Sequence, residues 1–316
     1  MFNRALLIAC LMIPMAAMAQ VCLVSKGKQQ GRIVLVEDND VNRKAATLLQ
    51  RFVRETSGGE LKIIATTKRA KNDVVIGEKT MEATDDGYVI DCSNGTLAIK
   101  SAGGKGAIYG VATLLEKFVG VDYLAKDFYT LTPSADIRIP KMHVAESPAF
   151  RFRQTFSYSN NDNTYRDWMR LHDHSEVFAN DMWVHTFDRL LPSSVYGKAH
   201  PEYYSFISGE RRPGNHSQWC LSNPNIFEIV ANRIDSIFKA NPGRNTISVS
   251  QNDGNDTYCQ CPECKKVNEY EGSPSGCYIR FLNRLAERFP DKQISTLAYL
   301  FTMHPPKHVK PLPNVN

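Results

Sequence analysis

The chain has 316 residues, 42% of them hydrophobic and 22% charged, and its 38 Lys and Arg against 33 Asp and Glu give a formal net charge of +5. The basic residues are scattered, whereas a nucleic-acid-binding protein concentrates them in one patch, so no nucleic-acid partner is expected. The length suits one large domain or two medium domains with real cores.

Residues 1–19 predict a secretory signal peptide. Arg4 forms a short basic region, residues 5–15 are apolar, and residues 17–19 (Ala-Met-Ala) form a cleavage signal with small side chains at its first and last positions. We therefore expect an exported protein, periplasmic or secreted. No later apolar run reaches the length that a membrane helix needs, so no membrane span is expected.

Residues 20–140 predict a small α/β domain. Residues 32–37 (RIVLVE) form an apolar run typical of a strand, and residues 73–77 (DVVIG) form another. Between them, Asn39 can cap a helix whose apolar residues recur at i, i+3, i+4 and i+7, and Gly58 ends it.

The second half of this domain predicts a hairpin followed by a helix. Asn94-Gly95 separates two short apolar runs, which is a strong signal for a type I′ turn. The following glycines form G-x-G-x-x-x-G, one residue longer than the dinucleotide-binding fingerprint. We interpret them as sites of close helix–sheet packing.

Residues 133–148 predict a linker, and residues 141–316 predict a second domain of alternating strands and helices. Strands are expected at 150–156, 179–186, 245–250 and 293–300, with helices near 163–172, 223–239 and 275–289. Such alternation implies parallel β/α units, and four units are about half of a (β/α)8 barrel. We expect an α/β protein whose second domain is an incomplete TIM-barrel-like domain, either a fragment of a longer chain or a half-barrel.

The carboxyl ends of these strands carry the candidate substrate-binding residues, because chemistry gathers at that edge in β/α folds. Aromatic rings can stack on the apolar face of a sugar, while amides, imidazoles and guanidinium groups bind its hydroxyls. The pattern therefore favours a carbohydrate or glycan ligand. The residues expected to bind it are Arg153, Trp183, His185, Asn252 and Tyr299.

Asp253 is the candidate catalytic acid/base. The alternative interpretation of Asp253 is a turn residue in Asn-Asp-Gly. The alternative for Arg153 is a structural ion pair. Most glycoside hydrolases use two carboxyl groups, and substrate-assisted chemistry uses the substrate's own amide in place of one. The other carboxylates near strand ends are Asp188, Asp256 and Glu263. No cofactor is required for such catalysis.

Four cysteines predict a structural cluster. Cys259, Cys261 and Cys264 form C-x-C-x2-C, and Cys220 offers a fourth thiolate. Four thiolates can close a tetrahedral structural zinc site, whereas two disulfides that recruit Cys277 are the alternative. Either arrangement would pin the loop that carries Asp253.

Several motifs resemble known families. GGKGAIYGVATLLEKFVGVDYL resembles the end of the α/β domain that precedes the barrel in α-glucuronidases and family 20 β-hexosaminidases. HPEYYSFISGERR, WCLSNPNI, SVSQNDGNDTYCQCPEC and LAYLFTMHPPKHVKPLPNV resemble domain of unknown function family 4838 (DUF4838), which commonly follows that domain in exported glycan-locus proteins. The resemblance implies an α/β domain before a (β/α)8-like barrel. It places Arg153 where family 20 enzymes hold a sugar-binding arginine. The Asp-Glu pair of family 20 is absent from the fourth strand, STLAYLF.

The sequence thus predicts an exported carbohydrate-active protein, glycoside hydrolase-like and hydrolysing O-glycosyl bonds in polysaccharides or glycans. Whether it is an enzyme is left open. The first alternative is a non-catalytic glycan-binding protein, and the second is a secreted scaffold with a structural cysteine or zinc site.

Overall fold

The computed structural model describes residues 19–316, which divide into two compact units with a boundary in the chain between His172 and Asp173. Residues 1–18 of the predicted leader lie outside the described residues. Within residues 19–316, no helix combines the length and the apolar character needed to cross a bilayer.

The first unit is a mixed α/β unit. Its elements are β1 (Ala19–Ser25), β2 (Lys28–Gln29), β3 (Ile33–Leu35), α1 (Asp40–Ser57), β4 (Ile63–Ala65), β5 (Val74–Lys79), β6 (Tyr88–Ser93), β7 (Thr96–Ser101), α2 (Gly106–Leu114), β8 (Val121–Ala125), β9 (Phe128–Leu131), β10 (Ile137–Pro140), β11 (Met142–Glu146) and α3 (Asn163–Trp168).

A six-stranded sheet with the order β11-β6-β7-β5-β3-β4 forms the centre of this unit. The pairs β4–β3, β3–β5 and β5–β7 are parallel, and β6 is antiparallel to both β7 and β11. The strand β1 pairs with β10 and β2, and β8 pairs with β9. The apolar faces of α1 and α2 pack in the same core as the sheet.

Local signals explain why these elements begin and end where they do. The side chain of Asn39 accepts a hydrogen bond from the N–H of Asn42, and Gly58 closes α1 in the left-handed conformation. Asn94 and Gly95 have φ values of 51° and 78°, which confirms the type I′ turn. A Cβ on Gly110 would lie 2.7 Å from the Ile99 side chain, which confirms close helix–sheet packing.

The predicted linker at 133–148 is wrong, because this segment contains β10 and β11. The register of β11 runs from Met142 opposite Cys92 to Glu146 opposite Tyr88. The backbone groups of these two strands are paired in sheets. Pro140 is tolerated because it stands at the end of its strand.

The second unit consists of short elements around two long helices. They are α4 (Phe187–Leu190), α5 (Ser193–Tyr196), β12 (Phe206–Ile207), β13 (Glu210–Arg211), α6 (Asn225–Ala240), β14 (Thr246–Ser248), α7 (Pro262–Glu271), α8 (Ser275–Arg288) and β15 (Gln293–Ser295). The helices predicted near 163–172, 223–239 and 275–289 are confirmed as α3, α6 and α8.

Four chain segments lie side by side and parallel in the second unit. Phe178 forms a parallel bridge to Thr246, β14 pairs with β15, and Ile294 forms a parallel bridge to Val315. The helices α6 and α8 connect successive segments and pack around them in one apolar core. The segments follow each other in chain order, which is the arrangement of consecutive β/α units.

Several features differ from the sequence-based expectation. Residues 150–156 form no strand, and the segment 179–186 begins with a 3-10 turn at Ala179–Asp181 instead of a regular strand. The helix α7 was not predicted, although Pro262 in its first turn is a typical start signal. Over the described residues the parallel segments form an open array and not a closed barrel.

Candidate functional site

The carboxyl edge of the parallel array, meaning His185, Asp253 and Tyr299 with the backbone that carries them, is the candidate site. His185 follows the segment beside β14, Asp253 follows β14, and Tyr299 follows β15. Parallel neighbours end at the same edge of a sheet, so the fold delivers these three side chains to one place.

The side chain of Tyr299 contacts both of the others. The hydroxyl of Tyr299 donates a hydrogen bond to Oδ1 of Asp253 over 3.1 Å. The ring centroids of His185 and Tyr299 are 6.0 Å apart, at an interplanar angle of 60°. Tyr299 is 39% exposed and Asp253 is exposed, so the carboxyl edge is open to a ligand.

The charge at this edge is set by the carboxylate. Its hydrogen bond from Tyr299 raises the pKa of the phenol, because an adjacent negative charge disfavours phenolate. The pair therefore presents a hydroxyl beside a carboxyl group. Such a pair suits a ligand that carries several hydroxyl or amide groups.

Gln251 joins two parts of the carboxyl edge. Its backbone carbonyl oxygen lies 2.8 Å from Nδ1 of His185, so Nδ1 is the donor, and in the neutral form of the ring Nε2 is an acceptor. Its side-chain amide donates to the carbonyl of Tyr299 over 3.0 Å and to the hydroxyl of Thr302 over 2.8 Å. Gln251 is buried, and these bonds fix the spacing between His185 and Tyr299.

Tyr278, on α8, forms hydrogen bonds with Gln251. Its hydroxyl accepts from the Gln251 N–H over 3.0 Å and lies 2.9 Å from the Gln251 side-chain oxygen. Sequence reasoning missed both residues. The signal for Gln251 was a polar residue at the end of a buried strand, immediately before Asn252-Asp253.

The backbone at His185 is unusual. Its φ is +50°, a left-handed conformation that residues other than glycine rarely adopt. The next residue, Thr186, holds this geometry: its N–H donates to the carbonyl of Ser250 and its hydroxyl to the carbonyl of Ser248. Strained backbone that its surroundings hold in place is a feature of functional sites.

Asn252 lies beneath the carboxyl edge. It is buried, and its side-chain amide donates to the carbonyl of Ser217 over 2.7 Å. Gln218 accepts from the N–H of Asn252 and donates to its carbonyl. These bonds make Asn252 the anchor of the loop that begins at Asp253.

The structure places Trp183 against His174, with the ring centroids 5.0 Å apart, and the side chain of Trp183 is half-buried.

Arg153 belongs to the first unit. Its guanidinium donates to the Asp86 carboxylate over 2.9 Å and to the carbonyls of Arg170 and Phe150. The carboxyl edge therefore brings together His185, Asp253 and Tyr299 from the predicted set.

The ion pair of Arg153 is itself well satisfied. Burial alone would raise the pKa of Asp86, but hydrogen bonds from His172 and Arg153 outweigh it and hold that pKa well below its ordinary value. His172 also accepts a hydrogen bond from the N–H of Arg153. The contacts of Arg153 in the structure are those of a structural ion pair, the alternative interpretation of this residue.

The predicted cysteine cluster, Cys220, Cys259, Cys261 and Cys264, is assembled in the second unit. The four sulfur atoms lie within 4.8 Å of one another, and all four residues are buried. Within residues 19–316 the cysteines carry free thiols and form no disulfide. The donor set suits a soft metal ion, since four thiolates are typical of closed structural zinc sites.

Two protein families match the sequence. The family described as "Domain of unknown function (DUF4838)" matches residues 123–316, and the family described as "Glycosyl hydrolase family 20, domain 2" matches residues 26–146. The resemblance inferred from the motifs is confirmed. Among curated proteins, none matches the sequence significantly.

Solved structures with a similar fold include β-N-acetylhexosaminidases, one of them from glycoside hydrolase family 20. The enzyme of Streptomyces coelicolor A3(2) has 13% sequence identity and a TM-score of 0.51, over 93% of this chain and 66% of that one. The β-N-acetylhexosaminidase of Bacteroides fragilis NCTC 9343 has 11% identity and a TM-score of 0.51, over 94% and 66%. At such identities the likeness shows a shared mixed α/β fold, and this chain spans 66% of the length of those proteins.

Proposed function

Because the chain belongs to the DUF4838 family and carries a glycosyl hydrolase family 20 domain 2, we propose that it is a carbohydrate-active protein of the glycoside hydrolase type. The observation that carries the proposal is the carboxyl edge, where Asp253, Tyr299 and His185 converge. A sugar ring would place an apolar face against the exposed aromatic ring. Its hydroxyls would bind the carboxylate and the free acceptor of the imidazole.

In this proposal Asp253 is the catalytic acid/base and Tyr299 and His185 bind the substrate. Breaking an O-glycosyl bond requires a proton for the leaving oxygen and the loss of a proton from the attacking water, and one carboxyl group can perform each step in turn. The nucleophile is either a second carboxylate or the acetamido oxygen of the substrate. The similar solved structures are β-N-acetylhexosaminidases, so N-acetylhexosaminides are the first substrates to test.

The architecture proposed for the second domain is a (β/α)8-like barrel of which the parallel array is a part. It is supported by the sequential order of the parallel segments and by the helices that connect them. We also propose export, which is supported by the leader-like residues 1–19. Amino-terminal sequencing of protein recovered outside the cytoplasm, with a start at Gln20, is the test.

A thermal-shift screen tests the sugar site. The panel contains N-acetylhexosamines, uronic acids and oligosaccharides at millimolar concentration, because a ligand that binds only the folded state raises Tm. We expect a shift that Tyr299→Phe reduces and that the matched control Asp256→Asn retains, since Asp256 is an exposed carboxylate of the same loop. No shift with any sugar would contradict the proposal.

An activity assay then separates catalysis from binding. Aryl N-acetylhexosaminides and aryl glucuronides release a coloured phenol on hydrolysis. We expect Asp253→Asn to lower kcat by at least about 100-fold, as removal of an acid/base group does, while ligand still raises Tm. Equal hydrolysis by wild type and Asp253→Asn would overturn the catalytic role.

The second candidate is a non-catalytic glycan-binding protein. One observation favours it. Among the described residues, Asp253 is the one carboxylate that hydrogen-bonds to His185 or Tyr299, whereas most glycoside hydrolases use two carboxyl groups. A sugar-dependent rise in Tm without any hydrolysis by the wild type would support this candidate instead.

A further inference from the structure

The cysteine cluster has the dimensions of a metal centre. A tetrahedral ion with four Zn–S bonds of about 2.3 Å requires sulfur atoms roughly 3.8 Å apart. The sulfur of Cys220 lies 3.6 Å from that of Cys261 and 4.0 Å from that of Cys264. All four sulfur atoms fall within 4.8 Å of one another, which leaves a centre that one ion can fill.

The same distances do not suit disulfides. A disulfide needs sulfur atoms about 2.05 Å apart, and forming one would take two of the four sulfur atoms out of the set. Cys277 would be the partner needed for a second bond, but its thiol points to the carbonyl of Cys264, 3.5 Å away. The cluster is arranged around a common centre and not in pairs.

Hydrogen-bond donors surround the sulfur atoms, as a set of thiolates requires. The backbone N–H of Phe206 donates to Cys259 Sγ over 3.3 Å, and the guanidinium of Arg211 lies 3.7 Å from the same sulfur. The hydroxyl of Ser222 lies 3.1 Å from Cys264 Sγ. Neutral buried thiols need no cation beside them, whereas four thiolates on a divalent ion carry a net charge of −2.

The helix α7 adds to this stabilisation. Cys261 is its N-cap residue and Cys264 stands in its first turn. The N-terminus of this ten-residue helix, which is the positive end of its dipole, lies at the sulfur cluster. All four cysteines are buried, so the centre has no open coordination position for a substrate.

We propose that Cys220, Cys259, Cys261 and Cys264 bind one structural zinc ion. The ion ties the segment around Cys220, which follows the β12–β13 hairpin, to the start of α7, and it fixes the far end of the loop 253–258. Its near end is fixed by Gln218 and Asn252. The proposal does not depend on a sugar ligand, because it concerns only how the loop is held.

Metal analysis and intact mass of the full chain, purified without chelator, test the proposal. We expect about one zinc per chain by elemental analysis. The native mass spectrum should be heavier by one zinc ion, and the denatured mass should correspond to reduced cysteines. Protein produced in cobalt-supplemented medium should show the visible absorption of tetrahedral cobalt thiolate.

Two variants supply the matched comparison. Cys261→Ser should lose the metal, whereas Cys277→Ser should retain it, because Cys277 is a buried cysteine of the same apolar cluster but not of the four-sulfur set. If Cys261→Ser does not fold, the metal content and the cobalt spectrum of the otherwise unaltered chain decide the matter.

Three results would overturn the proposal. The first is a denatured mass that is four hydrogens below that of the fully reduced chain, because each of two disulfides removes two hydrogens. The second is a metal-free wild type whose thiols stay free when zinc is added. The third is a folded Cys261→Ser variant that retains a full equivalent of zinc.

Discussion

The two units each contain a small polar cluster with similar residues, and the clusters differ in how far their hydrogen bonds are completed. In the first unit, Asp86 accepts from Arg153 and its other neighbour His172, and its side chain is only 15% exposed. In the second unit, Asp253 accepts from Tyr299 in the open.

This difference separates a structural cluster from a binding site more clearly than residue type does. Arg153 donates to one carboxylate and two carbonyls, so few of its N–H groups are left for a ligand. Asp253 and His185 each retain acceptor positions at an exposed edge. A buried charge with its partners in place contributes to stability, and an exposed one is available to bind.

The largest expected effect comes from the structural cluster. Asp86→Asn leaves the guanidinium of Arg153 without its carboxylate and should lower the free energy of unfolding by about 3 kcal/mol. Urea denaturation followed by circular dichroism measures it. The matched control is Asp85→Asn, whose carboxylate is 46% exposed and 3.9 Å from Arg151, and which should change stability by less than about 0.5 kcal/mol. Equal losses of unfolding free energy in the two variants would show that the buried ion pair of Asp86 contributes no more than an exposed carboxylate.

The pH dependence of stability should follow from the same carboxylate. The pKa of Asp86 is lowered in the folded state from its ordinary 3.8. Its contribution is therefore complete above about pH 4 and is lost as pH falls towards the folded-state pKa, because the unfolded chain binds the proton first. Unfolding free energies measured between pH 6 and pH 2, a range chosen to span about two units below that value, should fall less steeply for Asp86→Asn than for wild type. Parallel curves would argue against the assignment.

A smaller loss is expected at the support of the candidate site. Gln251→Ala removes the amide that holds the Tyr299 carbonyl and the Thr302 hydroxyl, which should cost about 1–3 kcal/mol because buried groups lose their partners. It should also weaken any sugar-dependent rise in Tm. The exposed Gln260→Ala is the control, and it should leave both measurements unchanged. Retention of full ligand binding by Gln251→Ala would show that the spacing of His185 and Tyr299 does not matter.

The smallest effect on stability should come from the carboxyl edge itself. Tyr299→Phe removes one exposed hydroxyl and should leave Tm unchanged within error. The affinity for the sugar found in the screen should fall roughly 3- to 10-fold, the usual consequence of losing one hydrogen bond. Isothermal titration measures it. A stable variant with unchanged affinity would place the ligand elsewhere.

Local signals in the sequence predicted the elements that local chemistry determines. The cap of α1 and the Asn94-Gly95 turn depend on neighbouring residues alone, and both are confirmed. The expected strand at 150–156 is wrong although its phenylalanines alternate with polar residues. Phe150 and Phe156 are 73% and 100% exposed, and a strand needs a partner that the sequence does not reveal.

The candidate site was partly predictable from the positions of the strand ends along the chain. Parallel β/α units deliver their last residues to one edge, so Asp253, His185 and Tyr299 could be chosen from position along the chain. The partners of Arg153 and Asn252 could not, because Asp86 lies 67 residues from Arg153 and Ser217 lies 35 residues from Asn252. Sequence spacing carries no information about such distant pairs. The cysteine cluster was predictable because three of its members are close neighbours in the chain.

The loop 253–258 is anchored at both ends, by Asn252 on one side and Cys259 on the other. Its middle residues contribute little to the apolar core, because its members are exposed or half-buried. New side chains can therefore appear there during evolution without a large cost to folding. Related proteins could diverge in ligand preference by varying this short segment while they keep the same framework.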